Sequence, residues 1–407
     1  MEDITNGKQF NELLNQKTPL GADNSKAKEQ NYALSNNNYS ESVNKTVTAY
    51  GGLVEGVRVA HSGERNEFSP KHMVRESLPE REYKINQMLS PGATKSTGAG
   101  NRATPESPDL HRTCFEKDRD RIKYASSFRR LAGKCQVYVA PKNDMLRNRL
   151  THSIEVAQIA VSLGIALKLN IPLLEAMALG HDCGHGPGGH AAEDAFAPFL
   201  VNGFDHAIWG SDVVLKPLNL TTETLDGIRN HSWRLQPPST PEGSILSWSD
   251  RIAYVCHDFA DATKAGIIRE KDLPINVKKI AGLKQSRQIG YFIDSLIESS
   301  YEKGFICISE EPAFVLDTFR KFNYERIYLR EESNIQAEKV IKLLSNLVEY
   351  YIENPERINS PLYDVPADED SASFQAVAFV AGMTDKYAFN MAVNKLGYHK
   401  KELPTSF

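Results

Sequence analysis

The chain lacks the spacing that would make its cysteines useful as a framework. Cys114, Cys135, Cys183, Cys256 and Cys307 are scattered over 407 residues. No C-x-x-C pair occurs among them, which excludes a thiolate zinc site and gives no sign of a disulfide scaffold. A strong charge of one sign is also missing. The 48 basic and 52 acidic residues leave a formal net charge of -4, so a generally basic nucleic-acid surface is excluded while a local cationic pocket is not. The N-terminus has no basic patch leading into an apolar core, and no run reads as the roughly 20 apolar residues that cross a bilayer. These absences predict a reduced, cytoplasmic chain with no membrane partner. Strand signals are scarce, and no internal repeat is visible.

What is present suits a globular protein: 41% of the residues are hydrophobic and 25% charged. The length fits one large enzyme domain or two domains with a tail. Residues 1–102 are rich in Asn, Ser, Gly and Lys, with Ser35-Asn-Asn-Asn-Tyr39 and Ser96-Thr-Gly-Ala-Gly100 as examples. Such composition buries little apolar surface, so this stretch is expected to be a low-complexity, poorly structured extension. The apolar patch from Leu53 to Ala60 is its one candidate strand or hairpin arm.

From 103 to 407, and clearly from His111 to Gly397, a helical period dominates. Ile154, Val156, Ile159, Ala160, Leu163 and Leu167 suit a buried helix with Thr151 as its cap. A second helix is expected to start near Pro172 and run to His181 and Asp182. Gly184 to Gly189 forces a loop, and another helix follows from His190. Ser247–Gly266, Pro312–Asn354 and Ser373–Leu396 also read as helices. The expected fold is mainly α, a helical bundle with a metal site between facing helices.

The chemistry concentrates in His152, the adjacent His181 and Asp182, and Asp250. Two imidazoles and two carboxylates suit a hydrated divalent metal with open positions. Neighbouring helical residues point about 100° apart, so His181 and Asp182 can share an ion only where their helix ends. A His-Asp pair alone is common by chance, and most buried histidines are hydrogen-bonded core. The run His181-Asp-Cys-Gly-His-Gly-Pro-Gly-Gly-His190 is different, because three histidines in a glycine-rich turn are costly for packing alone. Further along, Asp250, Tyr254 and Asp258 fall at four-residue steps on one helical face.

Three segments resemble the H…HD…D signature of the HD superfamily: Arg149-Leu-Thr-His-Ser-Ile-Glu-Val-Ala-Gln158, the His181–His190 run, and Asp250-Arg-Ile-Ala-Tyr-Val-Cys-His-Asp258. Lys117-Asp-Arg-Asp-Arg-Ile122, Phe128-Arg-Arg-Leu-Ala-Gly-Lys-Cys-Gln-Val137 and Gly382-Met-Thr-Asp-Lys-Tyr387 resemble its deoxyguanosine triphosphate triphosphohydrolase (dGTPase-like) branch. The resemblance implies an HD-domain helical bundle over 103–407. It also implies a divalent metal (Mn, Mg, Fe, Co or Zn) on His152, His181, Asp182 and Asp250. Its catalytic histidine falls on His190 with Glu193 as partner acid, and His185 matches a further active-site histidine. The substrate positions fall on Arg149 and His206 for the phosphates, and on Gln136, Tyr254 and Asp258 for the sugar, with Tyr387 lining the pocket. Ala207 and Trp209 depart from the pattern, which has a polar residue after the histidine at 206.

The implied reaction converts a deoxynucleoside triphosphate, dGTP or a broader set, to deoxynucleoside and tripolyphosphate. The implied partners are that substrate, an activating nucleotide or single-stranded DNA, and further copies of the chain, up to a hexamer. Two other readings stay open on the residues: a phosphohydrolase of nucleoside monophosphates or other phosphoesters, and a nucleotide or nucleic-acid sensor without turnover.

Overall fold

The computed structural model describes residues 53–54, 57–58, 75–141, 143–358 and 371–404. The rest of the 1–102 stretch, Ser35–Tyr39 included, lies outside the described residues. The chain divides after Arg75 into two units. In the first, Leu53–Val54 (β1) and Val57–Arg58 (β2) form a short antiparallel pair, with Leu53 opposite Arg58 and Val54 opposite Val57. This is the hairpin expected of the apolar patch.

The second unit is helical and begins at Glu76, earlier than the boundary at 103 that composition suggests. Helix α1 (Leu78–Met88) opens it, with Glu80 accepting from the Ser77 backbone. Residues 90–102 are docked rather than loose. The buried Glu242 carboxylate accepts from Thr94 N at 3.0 Å, Thr94 Oγ1 at 2.7 Å and Asn170 N at 3.0 Å. Arg102 forms a fully buried ion pair with Asp118 and donates to the carbonyls of Cys114 and Asn219. Composition hides this docking because polar groups finding buried partners make it, not apolar burial.

Removing one member of a buried pair leaves an uncompensated charge, at a cost of about 3–5 kcal/mol. A chain starting at Glu76 is therefore expected to unfold at the urea concentration of the full chain, whereas one starting at Ala103 should unfold much earlier or fail to fold. Equal midpoints for the two truncations would contradict this.

Helices α2 (Cys114–Tyr124) and α3 (Ser126–Arg130) lead to α4 (Arg149–Leu167) and α5 (Ile171–Gly180). The α4 cap is Asn148, not Thr151: Asn148 Oδ1 accepts from Thr151 N at 3.0 Å, and Thr151 Oγ1 answers from Asn148 N at 3.1 Å. Ile154 is exposed, while Val156, Ile159, Ala160, Leu163 and Leu167 are buried as expected. By length and composition α4 is apolar enough to cross a membrane, contrary to the sequence reading. In this unit it is an internal helix packed on α5, with Arg149 and His152 buried. Asn170 caps α5, and Pro172 sits in its first turn.

Short helices α6 (Ala191–Phe196) and α7 (His206–Trp209) follow, then α8 (Thr222–Arg229) and the long α9 (Pro241–Lys264), which starts earlier than Ser247 because Thr240 caps it ahead of Pro241. Next come α10 (Ile275–Ile280), α11 (Gln285–Lys303), α12 (Glu310–Asn323), α13 (Glu331–Glu353), α14 (Ala372–Ala381) and α15 (Asp385–Leu396). The expected single run Pro312–Asn354 is broken by a π turn over Tyr324–Tyr328. Two apolar clusters form the core. Ile122, Leu163, Leu173, Ile252, Phe292 and Phe319 belong to the first; Phe196, Trp209, Val340, Leu347, Phe374 and Val380 belong to the second. The glycine-rich loop after α5 joins them.

Candidate functional site

Helix α5 ends at Gly180, so His181 and Asp182 stand just beyond its last turn, where neighbouring side chains can converge. Helix α4 brings His152 and α9 brings Asp250. His152 Nε2 lies 3.0 Å from Asp250 Oδ1. His181 Nε2 lies 3.4 Å from Asp182 Oδ1 and 3.7 Å from Asp250 Oδ1. The other ring nitrogen of His181 bonds the Ala178 carbonyl at 2.7 Å, which leaves Nε2 as a buried lone pair without a hydrogen-bond partner. A lone pair facing two carboxylate oxygens is an arrangement that a cation satisfies, so the donor set fits a divalent metal. Burial would raise the Asp182 pKa, but His181, Arg149 and His185 hold it well below the usual carboxylate range. Burial likewise opposes charge on His152, while its bond to Asp250 and the nearby Asp182 raise it above an ordinary imidazole.

A second group of potential ligand atoms lies on the other side of Asp182: His185, His190, Glu193 and His206, all within 4.8 Å of one another. The loop that carries them needs its glycines. A Cβ on Gly184 would lie 2.0 Å from the His206 carbonyl, and Gly188 has φ +77° with Val340 against it. Asp385 pins the loop from α15 by accepting from Gly188 N at 2.8 Å and Cys135 N at 2.9 Å. Lys134 adds bonds to the carbonyls of His185 and Ala381. The Gly382–Tyr387 motif thus contributes Asp385 from within. Tyr387 itself is 46% exposed and does not line the cleft, which corrects its expected place.

Within this group His185 stacks on His206, with centroids 3.7 Å apart, and approaches Asp182 Oδ1 at 3.2 Å. Desolvation, then the charges of Arg149 and His206, hold His185 well below its usual pKa. His190 is exposed to the cleft yet ringed by protein; desolvation, Arg149 and His206 push it down to about 4. Glu193 does not hydrogen-bond His190. Its carboxylate takes His206 Nδ1 on one oxygen and Arg234 at 3.2 Å on the other. Despite the burial that would raise it, these partners bring Glu193 down to about 2. The acid that the resemblance pairs with His190 is thus taken by His206, which enters from α7. Ala207 and Trp209 turn into the core, Trp209 packing between Phe204 and Phe374, so the departure from the family pattern lies in packing.

Both groups open into one cleft of about 490 Å³. Arg149 donates to Asp182 Oδ2 at 2.9 Å, and its Nε and Nη2 are buried without partners. Gln136 lines the cleft with an unpartnered Oε1. On α9, Tyr254 and Asp258 line the same cleft as Asp250, as the four-residue spacing implies. The Tyr254 hydroxyl accepts from Arg320 at 2.8 Å, and Asp258 accepts from the Tyr328 hydroxyl. Burial pushes Asp258 up to about 7 against that bond.

Several cleft residues were not singled out from the sequence. His231 places Nε2 3.3 Å from His206 Nε2, its Nδ1 bonded to the Ile228 carbonyl at 2.7 Å. Trp233, Arg234, Arg251, Arg320 and Tyr328 also line the cleft. The Asn230-His231 pair after a helix was the local signal for the first; Trp233 and Arg234 follow it directly and Arg251 follows Asp250, while Arg320 and Tyr328 come from segments distant in sequence.

A family model described as HD domain matches residues 149–255, and one described as phosphohydrolase-associated domain matches residues 306–393. A deoxyguanosinetriphosphate triphosphohydrolase-like protein of Caldanaerobacter subterraneus subsp. tengcongensis is 40% identical over 322 residues, covering 77% of this chain and 93% of the relative. One of Clostridium perfringens is 38% identical over 332 residues, covering 78% and 96%. With the site built on the segments those matches span, the chain belongs to the HD superfamily and, within it, to the dGTPase-like phosphohydrolases.

Proposed function

We propose that this chain hydrolyses deoxynucleoside triphosphates to deoxynucleoside and tripolyphosphate. The observation that carries the reading is what one cleft brings together. The unpartnered buried guanidinium nitrogens of Arg149, members of the histidine group, residues of the metal ligand set, and Tyr254 with Asp258 all line it. Cationic donors suit a chain of phosphates, and a ring with a carboxylate suits the sugar that carries it. A divalent cation held by His152, His181, Asp182 and Asp250 would supply Lewis acidity and lower the pKa of a bound water. Arg149 and His206 offset phosphate charge, the main protein contribution to phosphoryl transfer. Desolvation first, then Arg149 and His206, disfavour the protonated form of His190; a triphosphate bearing about four negative charges favours it, and in that form His190 would deliver a proton to the departing 5′-oxygen.

The sugar end carries a selectivity prediction. A ring against C2′ rejects a ribonucleotide by overlap, and a carboxylate accepting from the 3′-hydroxyl is left unpaired when that hydroxyl is absent. Tyr254→Ala should lower the deoxy-over-ribo ratio of kcat/KM by about tenfold or more. Asp258→Ala should weaken both substrates and shrink the penalty for a 3′-deoxy analogue. An unchanged ratio in Tyr254→Ala would remove the sugar gate from this residue.

The test of the reaction is chromatography of products from the four deoxynucleotides and their ribo-counterparts with Mn²⁺, Mg²⁺ and Co²⁺. Deoxynucleoside without monophosphate supports it. Hydrolysis of monophosphates alone, or retention of labelled DNA without turnover of any nucleotide, overturns it.

A further inference from the structure

One cation of the cleft wall has no use yet in this chemistry. Arg251 follows Asp250 on α9 and lines the cleft, and among the described residues no carboxylate stands within ion-pair distance of it. Its Nε is buried without a hydrogen-bond partner. The group that holds it is an aromatic ring, with Arg251 Cζ 3.4 Å from the centroid of Trp233.

Trp233 is in turn fixed on its other edges. Its indole nitrogen donates to the Ser247 carbonyl at 3.3 Å, and its ring meets Trp248 edge-on with centroids 4.7 Å apart. Ser247, Trp248 and Arg251 fall within about one turn of α9, so the indole lies against the same stretch of helix that projects the arginine. The neighbouring cations are tied differently. Arg234 is met by Glu193 and Asp205, and Arg320 donates to the Tyr254 hydroxyl while lying over Tyr324.

An aromatic face orients a guanidinium without supplying a formal negative charge. A carboxylate in the same place would have cancelled the charge and filled the fork of donors. Trp233 leaves both available to a ligand, and a guanidinium fork matches phosphate oxygens. We infer that Trp233 is a positioning residue that presents Arg251 as a receptor for the phosphate chain, and that inorganic tripolyphosphate is sufficient to engage it. This rests on the proposed triphosphate substrate for its biological meaning, but not for its test.

The experiment is calorimetric titration of inorganic tripolyphosphate into the full chain at one fixed excess of Mg²⁺. Trp233→Ala is expected to weaken binding roughly threefold to tenfold, and Trp233→Phe, which keeps an aromatic face, to retain most of the affinity. Arg251→Gln should weaken binding at least as much, and adding Trp233→Ala to it should change nothing further. In hydrolysis the Trp233→Ala loss should fall on KM rather than kcat. Unchanged affinity in Trp233→Ala, a loss in Trp233→Phe equal to that in Trp233→Ala, or an equal further loss in the Arg251→Gln background would overturn the inference. The last result would mean that the indole merely braces the segment after α8. If tripolyphosphate binds as expected but no deoxynucleotide is turned over, the proposed reaction fails and this inference stands.

Discussion

Asp182→Ala is expected to lose the metal and turnover together. The carboxylate stands between the two halves of the site. One oxygen accepts from Arg149 at 2.9 Å, and the other faces His185 at 3.2 Å and His181 at 3.4 Å. Its removal also strips the buried Arg149 of its only acidic partner among the described residues, leaving a charge that is costly to bury alone. Metal content should fall below about a tenth of the unaltered chain, since losing even an outer partner of a ligand costs about 10- to 100-fold in metal affinity. Asp182→Asn keeps the shape and separates lost charge from lost packing. Elemental analysis showing full occupancy in either folded variant would refute the ligand assignment.

The next largest effect is expected at His190, and on rate alone. His190 belongs to the second group of side chains, with His185, Glu193 and His206, and not to the set around His181. His190→Ala should keep its metal and bind nucleotide while turning over at least about a hundredfold more slowly, the usual share of a positioned general acid. Metal loss in this variant would move His190 into the coordination sphere and remove its role as proton donor.

The fold was legible where one periodicity or one cap decides it. The buried face of α4 and the start of α5 near Pro172 follow from apolar spacing and first-turn chemistry, while α5 stops at Gly180, just short of the His181 and Asp182 expected to end it. Boundaries set by tertiary partners were not. Residues 324–328 contain no glycine or proline, so nothing local announces the turn that delivers Tyr328 to Asp258. Residues 90–102 look like a tail because their partners, Glu242, Asn170 and Asp118, lie far along the chain.

The site followed the same division. His152, His181, Asp182 and Asp250 meet as their pattern implies, and Tyr254 and Asp258 share the cleft with them. Glu193 bonding His206, Asp385 clamping the loop, and Trp233 carrying Arg251 are each made by two elements that sequence spacing cannot bring together. Tyr387 shows the reverse case. A residue inside a recognisable motif ends up on the surface while its neighbour two positions earlier does the structural work.

In the proposed reaction water attacks the phosphorus nearest the sugar, and the 5′-oxygen leaves with the deoxynucleoside. Hydrolysis in water labelled with heavy oxygen, followed by mass analysis of both products, tests it most directly. Label is expected on tripolyphosphate and none on the deoxynucleoside. Labelled orthophosphate or pyrophosphate, or label on the deoxynucleoside hydroxyl, would contradict it.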